Sequence, residues 1–342
     1  MKFNNEKKEA IISYLLEKIV EGSNNISKRV AETFDINQNT VHTYINQLAS
    51  DNIIRRIKRG EYELVENSYE YNLSRKKGEL ESESYAYNVY LKQHIKGLPQ
   101  NVQTIWEYTF SEMMNNVIDH SDAENVCLVI RQNHLATSVL IEDDGVGIFE
   151  KIKKHFNLET LDDAICELFK GKLTTDSSRH SGEGIFFSSK IMDDFLILSS
   201  RKVFTTNKYD ENMNLNSFNR NKKGTCVIMS VSNYTHKQTY EIFDLYSNVD
   251  GGFTKTTIPL KNVFDTSPVS RSQARRVCNR LDKFKEVILD FDDIDWMGQG
   301  FAHQIFVVFH TEHPEIKLHP VHMSDPVSKM YNHVTLTNQS HR

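Results

Sequence analysis

The sequence NVQTIWEYTFSEMMNNVIDH, residues 101–120, decides the fold of the middle of this chain. Its apolar residues recur at the spacing of one helical face, which predicts an amphipathic helix. They are Val102, Ile105, Trp106, Phe110, Met113 and Val117. A polar stripe borders that face, and within it Glu112 and Asn116 lie four residues apart and project from the same side. Because polar groups beside a buried face cost free energy unless they are bonded, this stripe predicts a bound ligand and metal ion.

Two pairs of glycines follow this helix in the sequence. A strand predicted over 138–141 runs into Asp143-Asp-Gly-Val-Gly147, which would place a carboxylate beside exposed backbone. A second pair, Gly182 and Gly184, precedes a helix predicted over 185–192, and backbone amides at a helix start can bind phosphate. The chain contains no GxxxxGK[ST] sequence, which excludes a Walker-type phosphate loop.

The order of these motifs resembles the GHKL ATP-binding fold, which gyrase, MutL, histidine kinases and the anti-sigma serine kinases share. The matching motifs are Glu112-Met-Met-Asn-Asn116, Asp143-Asp-Gly145-Val-Gly147, Gly182-Glu-Gly184 and Gly224-Thr225. The stretch SGEGIFFSSKIMDDF, residues 181–195, is most similar to the anti-sigma kinase branch. A single G-x-G would be a weak signal, but four motifs in this order make the resemblance specific over residues 85–235.

The resemblance implies a role for each motif residue. Asn116 would ligate the Mg²⁺ that bridges the phosphates, and magnesium prefers oxygen ligands of this kind. Asp143 would accept a hydrogen bond from the adenine amino group, with Thr225 supporting the adenine pocket. Glu112 would be the general base that polarises the attacking water or hydroxyl. The other implied contacts are Gly145 and Gly147 at the base and ribose, Lys172, Thr174 and Thr175 in a lid, and Gly182 and Gly184 at the phosphate oxygens.

Three residues of this helix leave open whether the bound nucleotide is hydrolysed, transferred or only bound. Asn115 stands where gyrase-like enzymes place an acid, so efficient hydrolysis does not follow from the resemblance. Glu112 could act on conformation without activating water. The helix that carries the acceptor histidine of histidine kinases is not evident, and His120 is therefore interpreted as a packed histidine.

Residues 1–66 predict a winged helix-turn-helix, because three helical segments are followed by two short strands that turn near Gly60. The outer face of the third helix carries amides and hydroxyls that can bond base edges in a major groove. The cations of the hairpin could contact phosphates. The predicted DNA contacts are Asn39, Thr40, His42, Thr43, Asn46, Arg55, Arg56, Lys58 and Arg59. A small helical domain that binds protein is the alternative.

The C-terminal part, residues 256–342, alternates strand and helix patterns, which indicates an α/β layer. The passage VILDFDDIDWMGQGFAHQIF, residues 287–306, resembles STAS domains, in which a strand ending in DF leads to a loop and a helix. In anti-sigma antagonists that loop holds a phosphorylatable serine, whereas Gly298, Gln299 and Gly300 occupy it here. We therefore expect a STAS-like domain that could bind a protein partner. The polar residues 67–84 predict a linker, and residues 236–255 a connector.

Composition narrows the class of protein. The 342 residues carry 41 Lys and Arg against 46 Asp and Glu, a net charge of −5, which excludes nucleic-acid binding by bulk positive charge but not by a local patch. The four cysteines form no CxxC pair, which argues against a disulfide scaffold or zinc site and fits a reducing cytosol. The chain begins without a signal-peptide pattern, and no apolar run reaches the roughly 20 residues that span a bilayer. A cytoplasmic protein without a membrane partner is expected.

Together these observations predict a multi-domain α+β protein: an all-α winged helix with a small β hairpin, a GHKL α/β sandwich and a STAS-like α/β domain. The main functional hypothesis is a transcriptional or signalling regulator in which ATP and Mg²⁺ control binding to double-stranded DNA. A homodimer would fit this hypothesis, because helix-turn-helix proteins commonly bind paired half-sites. The second hypothesis is a protein serine/threonine kinase of the anti-sigma type that acts on a separate STAS partner. The third is an interaction module in which the nucleotide is structural.

Overall fold

The computed structural model describes residues 5–173, 182–207, 223–248, 252–264 and 266–339. Its N-terminal unit consists of α1 (Asn5–Val20), α2 (Ile26–Phe34), α3 (Gln38–Ser50), β1 (Ile54–Lys58) and β2 (Glu61–Leu64). The two strands pair antiparallel on either side of Gly60, as the sequence predicts. Apolar residues at helical spacing, such as Ile11, Leu15, Val41 and Ile45, bury one another in a core of their own. The opposite face of α3 is left to solvent.

A six-stranded antiparallel sheet forms the middle of the molecule. Its strands are β3 (Asn67–Ser74), β4 (Asn125–Gln132), β5 (Ala136–Asp143), β6 (Asp194–Ser199), β7 (Lys202–Thr205) and β8 (Thr225–Ser232), in the spatial order β3-β4-β5-β8-β6-β7. Buried and less buried residues alternate along β4 and β5, so one face of the sheet is turned towards the core.

Helices pack against the buried face of this sheet. They are α4 (Glu83–Ala86), α5 (Lys92–Ile95), α6 (Gln100–Asn115), α7 (Ile148–His155), α8 (Leu161–Lys170), α9 (Gly184–Ile191) and α10 (Thr239–Tyr246). A π-helical turn, Tyr87–Leu91, joins α4 to α5, and another, Asn116–His120, continues α6. The apolar stripe predicted for α6 is buried, and Trp106 and Phe110 within it have no exposed surface.

The predicted linker over residues 67–84 is wrong in its first half. Residues 67–74 form β3, which pairs with β4 along its whole length, from Asn67 opposite Gln132 to Ser74 opposite Asn125. The strand lies at the edge of the sheet, and an edge strand can keep polar residues towards solvent. Its side chains are therefore mostly exposed, which explains the polar composition of the segment.

The C-terminal unit is a three-stranded parallel sheet with helices. Its elements are β9 (Lys255–Pro259), α11 (Leu260–Val263), α12 (Arg271–Cys278), β10 (Glu286–Asp290), α13 (Gln299–His303), α14 (His310–Glu312), β11 (Lys317–Val321) and α15 (Asp325–Gln339). The strands lie in the order β11-β10-β9. A 3-10 turn, Leu281–Lys283, precedes β10, and a π-helical turn, Gln304–Phe309, joins α13 to α14. The alternating strands and helices agree with the predicted α/β layer.

The core of this unit is continuous with that of the six-stranded sheet. Residues 236–255, expected to be a connector, contain α10, whose Phe243 ring lies 4.4 Å from that of Phe187. Phe253 connects α9 to the C-terminal unit, since its ring centroid lies 4.8 Å from that of Phe186 and 5.4 Å from that of Phe284. The described parts of this segment therefore pack against the rest of the fold through Phe243 and Phe253.

None of the helices within the described ranges has the length and apolar character that a membrane crossing requires.

Candidate functional site

A cavity of about 370 Å³ lies between the six-stranded sheet and helices α6, α7 and α9. This volume falls within the range of small-molecule sites. The predicted site residues that line it are Glu112, Asn116, Asp143, Gly147, Gly182, Gly184 and Thr225. Residues of four motifs, spread over the sequence from Glu112 to Thr225, therefore line one cavity.

Asp143 is the buried carboxylate of this cavity. It ends β5 and is only 5 % exposed. Its Oδ1 accepts a hydrogen bond from the Gly145 nitrogen at 2.8 Å. Burial raises the pKa of Asp143 to about 6, although hydrogen bonds from the backbone of Gly145 and Thr225 oppose this rise. A partly satisfied carboxylate in this position can accept further hydrogen bonds from a ligand.

Close packing against Gly224 and hydrogen bonds of two hydroxyl groups fix the backbone around Asp143. Gly224 has a φ of 96°, and a Cβ atom there would stand 1.9 Å from the Asp143 carbonyl oxygen, so no other residue fits. Thr225 Oγ1 accepts a hydrogen bond from the Ile148 nitrogen at 3.0 Å, which joins the start of α7 to β8. Ser199 Oγ donates to the Gly224 carbonyl at 2.9 Å. These bonds fix the floor of the cavity.

Glu112 lies against the first residue of α9. A Cβ atom on Gly184 would stand 2.0 Å from Glu112 Oε2, so the glycine lets the carboxylate approach the helix. A carboxylate near a helix N-terminus is favoured by the helix dipole. Burial, and then the charges of Glu112 and Glu183, raise the pKa of Tyr108.

Asn116 begins the π-helical turn that extends α6, one helical turn beyond Glu112. Turns of this kind occur frequently at functional sites. The amide of Asn116 is half-buried, and its Nδ2 has Met113 Sδ at 4.0 Å, a long contact that commits little of its hydrogen-bonding capacity. Glu112 and Asn116 thus line the cavity together, as expected from their spacing.

Of the predicted lid residues, the structure describes Lys172 alone. Lys172 does not line the cavity. Its Nζ donates to the Lys283 carbonyl at 2.9 Å and lies 4.9 Å from the centre of the Phe284 ring. The C-terminal unit therefore holds this ammonium, because it offers both a carbonyl oxygen and aromatic faces. Thr174 and Thr175 lie outside the described residues. Gly145 is adjacent to the cavity through its bond to Asp143 and does not line it.

Several residues that line the cavity were not assigned to nucleotide binding from the sequence, and two of them are His120 and Lys151. His120 lines the cavity, although it was interpreted as a packed residue. Lys151, in the first turn of α7, also lines it, and its Nζ donates to the His120 carbonyl. The signal for Lys151 was its position four residues after Gly147, at the start of a helix, which brings it back over the glycine pair.

A buried polar network joins the cavity wall to the C-terminal unit. Lys170, the last residue of α8, is 1 % exposed, and its Nζ donates to Glu167 Oε1 at 2.7 Å. The same ammonium donates to the carbonyls of Arg276 at 3.0 Å and Asn279 at 2.6 Å. Arg280 Nε lies 3.2 Å from the second oxygen of Glu167. Since Leu168 of the same helix lines the cavity, α8 contacts both the site and the C-terminal unit.

Most of the predicted DNA contacts are exposed in the N-terminal unit. The exposed members are Asn39, His42, Thr43, Asn46, Arg55, Arg56, Lys58 and Arg59, and Thr40 is half-buried. Two of the cations have acidic neighbours in the hairpin: Arg55 pairs with Glu63, and Lys58 Nζ lies 2.8 Å from Glu61 Oε1. The positive potential of the hairpin is therefore smaller than its four cations suggest.

Comparison with known proteins identifies one part of the chain. Residues 273–328 match the family described as STAS-like domain of unknown function (DUF4325). The match runs from α12 into α15, so the C-terminal unit contains a STAS-like domain, as the sequence indicated. No curated protein matches the chain.

Proposed function

We propose that the protein is a regulator that binds ATP with Mg²⁺ in the cavity of the six-stranded sheet. The observation that carries this proposal is the convergence of Glu112, Asn116, Asp143 and the second glycine pair on one hollow of suitable volume. Independent motifs reach one cavity only when the fold brings them there, so their meeting supports the GHKL resemblance.

The surroundings of each proposed binding residue suit its proposed role. The buried carboxylate of Asp143 accepts hydrogen bonds, which suits the amino group of adenine. Asn116 presents an amide oxygen, a ligand type that Mg²⁺ accepts alongside phosphate oxygens and water. The bound ion would neutralise charge on the phosphates. The backbone at Gly182 and Gly184 lies at the start of α9, where amides can bind a phosphate oxygen.

Calorimetric titration tests the pocket and its metal dependence together. We expect ADP and a non-hydrolysable ATP analogue to bind the full chain with Mg²⁺. Asp143→Ala should abolish binding of both, and Asn116→Ala should remove the dependence on Mg²⁺. Asp144→Ala is the matched control, because its side chain bonds to Asn125 and the Glu124 backbone outside the cavity. Unchanged affinity in Asp143→Ala would refute the assignment.

We further propose that nucleotide binding controls the N-terminal unit as a reader of double-stranded DNA. The support is an exposed face of amides and hydroxyls on α3 and exposed cations beside it. Contacts from α8 and Lys172 to the STAS-like unit offer a route by which closure over the nucleotide would shift a pre-existing equilibrium of the flanking units. Equal DNA affinity and equal hydrodynamic radius with and without nucleotide would contradict this control.

A serine/threonine kinase that acts on a separate partner is the second candidate. The placement of Glu112 beside Gly184 favours it, because a base at this position could polarise a hydroxyl as well as a water. In the STAS-like unit, Gly298 and Gln299 occupy the start of α13, so that loop offers no acceptor hydroxyl. Transfer of γ-labelled phosphate to a partner serine would identify a kinase, and label found only in free phosphate would identify an ATPase switch.

A structural nucleotide is the remaining possibility. Glu112→Ala separates it from the other two, because Glu112 lines the cavity and is not assigned to adenine or metal. If this variant binds ATP and retains full regulatory activity, turnover is dispensable and the nucleotide serves to hold an interaction module together.

A further inference from the structure

We propose that the outer edge of strand β3 binds a second copy of this chain, so that two six-stranded sheets join into one across a two-fold axis at Glu70. The surface concerned takes no part in the nucleotide cavity, and the inference goes beyond the proposed function. β3 pairs with β4 alone and ends the sheet. Its outer edge therefore presents backbone donors and acceptors that a further strand can use.

The alternation along β3 identifies the groups at this outer edge. The Ser74 nitrogen donates to Glu79 Oε2 at 2.9 Å, and its carbonyl accepts from the Glu79 nitrogen at 3.2 Å, so the backbone of Ser74 points away from β4. Every second residue of an antiparallel strand shares this direction, which assigns the N–H and C=O groups of Ser68, Glu70 and Asn72 to the same edge. Within the described ranges, no hydrogen bond reaches these groups. All three residues are exposed.

The two edges of the six-stranded sheet differ in how they are protected. β3 pairs with β4 without a bulge from Asn67 to Ser74, and its eight residues include no proline and no lysine. Bulges, prolines and lysines are the usual means of keeping an edge strand single. The opposite edge strand, β7, has four residues from Lys202 to Thr205, and the Thr205 carbonyl accepts a hydrogen bond from Asn262 Nδ2 at 2.9 Å. The long, regular outer edge of β3 therefore indicates a partner strand.

The length of the available stretch favours a second copy over an unrelated strand. Glu79 occupies the edge beside Ser74, so a partner strand can pair with Ser68–Asn72 but cannot continue past Asn72. Glu70 is the midpoint of this stretch. An antiparallel copy centred there brings Ser68 of each chain opposite Asn72 of the other and Glu70 opposite Glu70, and each facing pair exchanges two hydrogen bonds. The copy thus matches the stretch at both ends.

The position of the N-terminal unit also favours a second copy. This unit ends at Leu64, and β3 begins at Asn67. In the register centred on Glu70, Asn67 of one chain faces Leu73 of the other, so the two Asn67 positions lie about 20 Å apart along the strands. The N-terminal units then extend from opposite ends of the paired strands, as suits a reader of paired half-sites about 34 Å apart. Only this DNA geometry depends on the proposed function, and the strand pairing does not.

The two Glu70 carboxylates limit the affinity of the pair. Like charges directly opposite each other on neighbouring strands repel, but the Glu70 side chain is exposed, and salt screens exposed charges. We therefore expect a weak, reversible dimer that tightens when the charge at residue 70 is removed. The competing explanation is that Glu70 keeps the edge single, as charged residues do on other edge strands. In that case removing the charge creates no discrete dimer.

Sedimentation velocity of the full chain over a series of concentrations tests the pairing. We expect a monomer–dimer equilibrium in the wild type and a dimer several-fold tighter in Glu70→Gln. Ser68→Pro should weaken dimerisation at least tenfold, because each dimer loses two backbone hydrogen bonds, whereas proline at an outward-facing edge position spares the bonds to β4. Ser68→Ala is the matched control, since it keeps the N–H group, and its dimer should be as tight as that of the wild type.

Mixing two chains tests the register. Fluorescently labelled wild type mixed with Glu70→Lys should form heterodimers in preference to either homodimer, because opposite charges then face each other at residue 70. Glu159→Lys changes an exposed acid outside β3 and should mix without preference. This comparison remains informative if Ser68→Pro does not fold, since both lysine variants keep every backbone donor.

A chain that stays monomeric at every concentration, in the wild type and in Glu70→Gln, would overturn the inference. A dimer that Ser68→Pro leaves intact, or that shows no preference between wild type and Glu70→Lys, would place the contact elsewhere and overturn it as well. Calorimetry with ATP keeps the two proposals apart. A monomer that binds ATP refutes the strand pairing alone, and a dimer that binds no nucleotide refutes the proposed function alone.

Discussion

Replacing Asp143 by asparagine should make the free protein more stable and the nucleotide complex weaker. Burial raises the pKa of this carboxyl from its ordinary value of 3.8 to about 6. The native state therefore disfavours the ionised form that prevails at neutral pH. Asparagine removes the charge while keeping one carbonyl oxygen for the Gly145 nitrogen, which now lies 2.8 Å from Oδ1.

The magnitude follows from the change in pKa. One pKa unit corresponds to about 1.4 kcal/mol, so the rise to about 6 makes ionised Asp143 cost about 3 kcal/mol of folding free energy. This is a ceiling, because asparagine has one acceptor oxygen where the carboxylate has two, and an unmet backbone donor costs about 1 kcal/mol. We expect a gain of about 1–2 kcal/mol above pH 7.

The sign of the pH dependence is fixed by the raised pKa. In the unfolded chain the carboxyl ionises near pH 3.8 and in the native state near pH 6, so the cost is absent below the first value. It grows between the two values and is complete above the second. The stability advantage of Asp143→Asn should therefore nearly vanish at about pH 4 and be full at about pH 7.5.

Urea unfolding of the full chain at these two pH values measures the effect. The neighbouring Asp144 is the control: partial burial acts to raise its pKa, but hydrogen bonds from Asn125 and the Glu124 backbone lower it overall. Asp144→Asn should therefore lose stability at neutral pH, the opposite sign. ATP affinity should fall roughly tenfold in Asp143→Asn, since a hydrogen bond to a charged acceptor is the stronger one. A variant that is no more stable at neutral pH, or that binds ATP as tightly as wild type, would refute the reasoning.

Three further changes test other contacts. Gly184→Ala adds a methyl group that would stand 2.0 Å from the present position of Glu112 Oε2, so the carboxylate has to move. Phosphate release should therefore slow at least tenfold with little change in melting temperature. Unchanged release would show that Glu112 takes no part in the chemistry. Glu167→Gln leaves the buried Lys170 without its counter-ion and should lower the free energy of unfolding by about 3 kcal/mol or more in urea; the exposed Glu159→Gln should have no such effect. Arg59→Ala should weaken duplex DNA binding and reduce the slope of affinity against salt by about one, whereas Lys76→Ala outside the N-terminal unit should not.

The helix that carries the site could be predicted well from sequence because its determinants are local. A period of 3.6 residues fixes which side chains share a face, so the burial of Trp106 and the common orientation of Glu112 and Asn116 followed from spacing alone. The strand order and the closeness of Gly184 to Glu112 depend on contacts between distant segments. Neither feature was predicted, because local spacing carries no information about which distant segments meet.

The wrong expectations concern segments whose structure depends on distant partners. Tyr69, Tyr71 and Leu73 alternate as a strand would, but the polar residues between them dominated the composition. An edge strand needs only its one neighbour, β4, and no run of apolar residues marks it. The position of Lys172 depends on a distant partner as well, because the carbonyl of Lys283 that accepts its hydrogen bond lies 111 residues further along the chain.

The contact of Lys170 with the carbonyls of Arg276 and Asn279 limits how this chain could be rearranged. A module can be separated from its neighbour without loss only when the surface it uncovers tolerates water. Here an ammonium group from the neighbouring unit is buried against the end of α12, so a foreign module would have to present two carbonyl oxygens at the same place. Without them, the buried ammonium would keep Glu167 as its counter-ion but lose two hydrogen bonds. Recombination at the junction near residue 255 would therefore be tolerated only between close variants of this chain.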